Sequence, residues 1–154
     1  MPFDAPFMLG PFSVDAAGRL APRDPAALPA FVFRWRGRLI RARLGQSVPQ
    51  HGQLVLLTVL SRVPSTADAT GPGPRGSSFA AMHLLRRHIP SGWRLTLLPD
   101  HRVLLEADAE IALPITASGL LVELTCFLLV LAPYLDLLES LGMVAPAEAG
   151  MVKT

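Results

Sequence analysis

The residues best suited to chemistry are five arginines in FVFRWRGRLIRARLG, residues 31–45: Arg34, Arg36, Arg38, Arg41 and Arg43. Residues two apart on a strand share a face, and a row of guanidinium groups is the electrostatic footprint of phosphate binding. Sheets that read single-stranded nucleic acid also need aromatics on the same face as the cations, for base stacking. Here Phe31, Phe33 and Trp35 alternate with Arg34 and Arg36, so the two sets point to opposite sides. After Gly37 the parity inverts, and Ile40, Ala42 and Leu44 become the apolar positions. A hairpin turning at Gly37-Arg38 reconciles the halves, because glycine at the first central position suits a type II′ turn. This pairs Trp35 with Ile40, Phe33 with Ala42 and Phe31 with Leu44, and gathers Arg34, Arg36, Arg41 and Arg43 on the other face. Arg34 then lies opposite Arg41, a mildly destabilising like-charge pair. A neutralising partner is therefore expected. Glu106, Asp108 and Glu110 alternate with the same period and supply one. The preferred reading is a charged face balanced within the chain or between subunits. The alternative is a nucleic-acid or anionic-surface binder using the arginine hairpin.

No other pattern in the chain points to catalysis or to a cofactor. GPGPRGSS lacks the lysine of a phosphate-binding loop, and its prolines remove amides that would cradle phosphate. His51, His83, His88 and His101 are scattered, and no cysteine or carboxylate stands at ligand spacing from them. The serines lack a nucleophile-elbow context. Cys126, between Thr125 and Phe127 in the most apolar segment, reads as buried, inert packing. A non-enzymatic protein without cofactor or metal is expected.

The elements that must position these residues follow from composition and periodicity. The chain has 154 residues, enough for one domain with its own core. Apolar residues make up 51% and charged residues only 17%, against about 25% charged in an ordinary domain, which suggests extra buried surface such as a subunit interface. One cysteine and no secretory signal pattern suit a reducing cytoplasm. Residues 1–62 hold eight arginines against Asp4, Asp15 and Asp24, while the remainder is acidic overall, so the two halves can attract each other.

Residues 1–30 read as an irregular strand and turn, with Phe12 and Val14 alternating and a single helical turn capped by Asp24. After the hairpin and the loop GQSVPQHG, QLVLLTVLSRV is apolar on both parities, a strand covered on both faces or lying at an interface. A loop follows over 64–77, then a helix capped by Ser77 or Ser78 with Phe79, Met82 and Leu85 along one side. Two strands, GWRLTLL and RVLLEADAEIAL, turn at Pro99-Asp100-His101. A long helix from about Thr116 to Leu141 is kinked or restarted at Pro133. Its uncharged run, Leu124 to Leu135, is too short to cross a bilayer, so no membrane span is expected. The stripe through Leu120, Leu121, Leu124, Phe127, Leu128 and Leu131 is backed by Val122, Leu129, Val130 and Ala132, so the helix is apolar nearly all round. One side can meet the sheet and the other needs a partner; Leu56, Val122, Leu129 and Val130 are the candidate homodimer interface. The fold class is α+β: an antiparallel sheet of about five to six strands with two main helices, in the order β-β-β-α-β-β-α. A single domain spans 1–154, with its core at 31–142 and a frayed tail at 143–154.

From Phe31 to Leu141 this order resembles the type III secretion chaperone-like fold shared by the bacterial YbjN-type regulators. GWRLTLLPDHRVLLEADAEIALPITASGLLVELTCFLLVLAPYLDLL carries the resemblance most clearly. It implies a cytoplasmic homodimer without cofactors that binds segments of other proteins. The chain differs from those chaperones in its pI of about 9.3, where they are acidic, and in lacking their leading helix.

The two readings of the arginines separate on heparin. A phosphate-binding face would give steeply salt-dependent retention, lost when Arg34, Arg36, Arg41 and Arg43 become serine; the balanced face preferred here is expected to elute early from both proteins.

Overall fold

A computed structural model describes residues 5–63, 74–143 and 145. The strands are β1 (Phe7–Leu9), β2 (Phe12–Val14), β3 (Leu20–Pro22), β4 (Ala30–Trp35), β5 (Arg38–Val48), β6 (His51–Arg62), β7 (Trp93–Leu97) and β8 (Arg102–Ala112). The helices are α1 (Pro74–His88), between β6 and β7, and α2 (Ala117–Ser140), after β8. Strands β4-β5-β6-β8-β7 form an antiparallel five-stranded sheet, and β1-β2-β3 a separate three-stranded one. The fold is α+β, with the order of elements from β4 to α2 that the periodicity implies.

The hairpin β4–β5 has the expected faces but a different register. Phe33 pairs with Ile40 and Trp35 with Arg38, so the turn residues are Arg36 and Gly37. Both have positive φ, 48° and 72°, as a type I′ turn requires. The shift is two residues, so every apolar side chain keeps its face. Three consequences follow for the arginines. Arg34 faces Leu39 and Arg41 faces Val32, so the like-charge pair does not arise. Arg36 leaves the ladder for the turn. Arg38 joins the inner face, with 1% of its surface exposed. Beyond this hairpin GQSV is strand, not loop, and the chain reverses at Pro49-Gln50, with Gln50 at φ 69°.

The first 30 residues are more ordered than their pattern suggests. Phe12 and Val14 are 3% and 0% exposed. The small sheet is tied to the segment before α2 by Leu20 N–H to the Ile115 carbonyl and Ala117 N–H to the Gly18 carbonyl, both 2.9 Å. Asp24 accepts from the Ala26 N–H at 2.9 Å, but this closes a turn and no helix forms.

Both helices lie on the inner face of the large sheet. On α1, which begins at Pro74 and so contains Ser77 and Ser78 rather than being capped by them, Ala81, Met82 and Leu85 are buried; the side chain of Phe79 lies outside the described residues. They share one buried core with Leu60, Leu95 and Leu105 of the sheet, and Leu85 lies beside all three. Trp93 packs against Phe127 and Tyr134 of α2 in tilted ring contacts, with centroids at 5.1 and 6.2 Å. The Tyr134 hydroxyl donates to the His88 carbonyl at 2.7 Å and joins the two helices.

Thr116 caps α2, its Oγ1 accepting from the Gly119 N–H at 3.0 Å. The helix continues through Pro133 without restarting. Proline removes one backbone hydrogen bond, but Leu135 and Leu138 beyond it are both 0% exposed and hold the last two turns on the core. The end is a Schellman motif: Gly142, at φ 77°, donates to the Glu139 carbonyl and Met143 to the Leu138 carbonyl. Met143 is 2% exposed, so order extends one residue into the segment expected to fray; residues 146–154 lie outside the described residues. Leu135→Ala would leave a cavity under the proline and is expected to cost about 3 kcal/mol, read as a lower urea midpoint at unchanged slope.

Candidate interaction surfaces

Three surfaces gather the residues that the sequence singles out. The first joins the hairpin turn to the C-terminal end of α2. Arg36 Nη2 donates to Asp136 Oδ1 and to Glu139 Oε2, both at 2.7 Å. Arg38 Nε donates to the Leu60 carbonyl at 2.7 Å, and its Nη1 to the Arg36 carbonyl at 2.9 Å and Glu139 Oε1 at 3.2 Å. The Arg38 Nη2 atom is buried without a hydrogen-bond partner among the described residues. Hydrogen bonds to Asp136 and then Glu139 push the Arg36 pKa up. Burial pushes that of Arg38 down, against the pull of Glu139. The hydrogen bond from Arg36 holds the Glu139 carboxyl below its usual range, and Arg38 adds to the effect. The basic first half and the acidic second half of the chain meet here. The charges satisfy one another and form a clamp.

The second surface is the outer face of the large sheet. Arg41 lies beside Leu57, and Leu57 beside Glu106; Arg43 lies beside Val55, and Val55 beside Asp108. Glu110 sits one row further, beside Gln53. The acidic strand therefore does not touch the arginine strand, as the matched periods suggest, because β6 runs between them. Its carboxylates are approached instead by Arg94 of β7, which pairs with Glu106 and stands 3.7 Å from Asp108. Of the apolar run in β6, Leu54, Leu56 and Leu60 point into the core, and Val55, Leu57 and Val59 are half-buried on the outer face. Leu56, expected at an interface, is 2% exposed and is a core residue. The parity of β6 decides this.

The third surface is the outer arc of α2. The helix buries Leu120, Phe127, Leu131, Leu135 and Leu138. Its opposite side exposes Leu121, Val122, Leu129 and Val130, by 65%, 59%, 69% and 42%. Val122, Leu129 and Val130, the residues expected at a homodimer interface, lie on this open side, and Leu121 lies there too rather than with the stripe that contains Phe127 and Leu131. Cys126 shares this arc and is exposed, contrary to the buried packing its neighbours suggest. It sits four residues after Val122, about a full turn along the open side. By length and composition α2 could cross a membrane, with 22% of its most apolar window buried.

Asp15 lies in a shallow depression with Ser13, Arg19 and Pro114, but its oxygens accept from the Ala17 and Arg19 N–H groups and from Arg19 Nε. Among the described residues no group of three or more His, Cys, Asp or Glu is placed to hold a metal ion. The clamp carboxylates Asp136 and Glu139 escape sequence reasoning, although their i, i+3 spacing marks one helix face.

The clamp makes stability depend on pH and on which partner is removed. The Glu139 carboxyl titrates lower folded than unfolded, so its contribution is complete above the unfolded value of about 4.3 and is lost as pH falls through the folded one. Urea melts across this range should flatten in Glu139→Gln relative to the parent. At neutral pH, Glu139→Ala leaves a buried guanidinium without its carboxylate, whereas Arg38→Met replaces that charge by an apolar chain of similar length. The first is expected to lower the melting temperature more than the second. Comparison of the chain with protein-family models, curated proteins and solved structures gives no match, and its activity has to be read from these surfaces.

Proposed function

We propose that this chain is a non-enzymatic protein-binding domain that works as a homodimer and takes the apolar side of a partner protein's helix on the outer arc of α2. One observation carries the reading: Leu121, Val122, Leu129 and Val130 stay exposed on a helix without a single charged residue from Leu124 to Leu135. Large residues at 121–122, 129–130 and 137 alternate with the smaller Thr125, Cys126 and Pro133. That relief of ridges and notches suits an amphipathic helix laid alongside. A membrane-surface helix would instead carry lysine and arginine on its polar side, and α2 contains neither. The resemblance of the sequence to the secretion-chaperone-like fold, whose members bind segments of other proteins, supports the same reading. An anionic partner would have to work through Arg41 and Arg43, because Arg36 and Arg38 are engaged with α2.

Selection of a displayed peptide library on the full chain tests the proposal. Amphipathic helical sequences should be enriched, and Leu129→Glu should weaken their binding at least tenfold, while Leu28→Glu, at an exposed site outside α2, changes nothing. Enrichment equal on the parent and Leu129→Glu would sink the reading. Flotation of the parent, but not Leu129→Glu, with phosphatidylglycerol vesicles would replace the protein partner by a membrane.

A further inference from the structure

We propose that a second copy of this chain docks face to face on the outer surface of the five-stranded sheet, about a two-fold axis running along β6. This specifies the homodimer of the functional reading and uses a surface separate from the α2 arc. The pattern of the face selects both occupant and orientation. Going across the strands, Arg41, Leu57 and Glu106 are neighbours in one row, and Arg43, Val55 and Asp108 in the next on that face. Charge changes sign across β6, and the apolar residues lie on the line where it does.

Adjacent strands are about 4.8 Å apart, so β5 and β8 flank β6 at equal distances on either side. A two-fold axis above β6 and parallel to it exchanges left and right but keeps position along the strand. It therefore seats β5 over β8 of the second copy, row by row. Arg41 comes over Glu106 of the other copy and Arg43 over its Asp108, and the symmetry makes each pair twice. Val55, Leu57 and Val59 meet their own counterparts on the axis. Sheets packed face to face lie about 10 Å apart with their strands nearly aligned, a gap that an arginine and a carboxylate side chain span together.

The alternative axis, running across the strands, would lay Arg41 over Arg41 and Glu106 over Glu106. Like-charge repulsion thus excludes the wrong orientation as the opposite charges favour the right one. Arg94 of β7, one strand further out, pairs with Glu106 and stands 3.7 Å from Asp108. A foreign partner would need one complementary charge pattern, but a face that carries both signs mirrored about a strand of apolar residues complements itself.

Charge-swapped variants test this by mass in solution. The parent should elute near twice 16.5 kDa. Arg41→Glu with Arg43→Glu should be monomeric, as should Glu106→Arg with Asp108→Arg, each keeping its circular dichroism spectrum. An equimolar mixture should regain the dimer mass, since both pairings are restored in the heterodimer. If a swapped variant fails to fold, Leu57→Lys, which sets two like charges against each other on the axis, should give a folded monomer. A monomeric parent, swapped variants or a folded Leu57→Lys that stay dimeric, or folded swapped variants whose mixture remains monomeric would each overturn the proposal. Leu129→Glu should leave the dimer intact. Loss of the dimer in that variant alone would move the second copy to α2, and so separates failure here from failure of the peptide-binding reading.

Discussion

Arg38 is a charge with almost no access to water, and the arrangement around it follows from that constraint. A buried guanidinium is tolerated only when its donors are matched and a counter-charge is near. The Leu60 and Arg36 carbonyls match Nε and Nη1, Glu139 supplies the counter-charge, and only Nη2 is left without a partner among the described residues. Glu139 can reach it only if the end of α2 lies over the hairpin turn, and Arg36 secures that position through Asp136 and Glu139 together. Two carboxylates in the last turns of a helix oppose its dipole, so they are a cost there unless cations meet them. The turn, the register of β4 with β5 and the seat of α2 are thus one linked choice. Which side of α2 remains open is settled by the same contacts.

Much of this was legible in the sequence, and the failures have physical causes. Alternation identified the strands, and the break in parity at Gly37 located the hairpin. The register was not fixed, because a glycine with positive φ serves as the first residue of a type II′ turn or the second of a type I′ turn. Both registers put Phe31, Phe33 and Trp35 inside, and only the type I′ turn brings Arg38 with them. Of the three-residue strands only β2 shows, through the alternation of Phe12 and Val14; β1 and β3 carry too little periodicity to be seen, and β3 is tied by a backbone hydrogen bond from Leu20 to Ile115, just before α2.

The candidate interfaces were half legible for a related reason. A helix apolar on every side announces that it is covered on more than one, but not which arc meets the sheet. Val122, Leu129 and Val130 lie on the open arc, and Cys126 lies there with them rather than inside. In β6 the doubly apolar run announced two faces without saying which residue held which. The bonded rows do say it. Leu56 is shared with the core, and Val55, Leu57 and Val59 are left for the outside.

The two open surfaces lie on opposite sides of the molecule, since α2 sits on the inner face of the sheet and the charged rows on the outer. A dimer closed through the outer faces would stack helices, sheet, sheet and helices in four layers, with both α2 arcs turned away from the axis. Self-association and partner binding would then not compete for surface. Each copy would present one uncharged helix on an outer side of the dimer, and the clamp from Arg36 and Arg38 to Glu139 would hold that helix in place from within its own chain. A partner with two helical segments could engage both arcs only by reaching around the dimer. Two separate partner molecules, one on each side, fit the symmetry more simply.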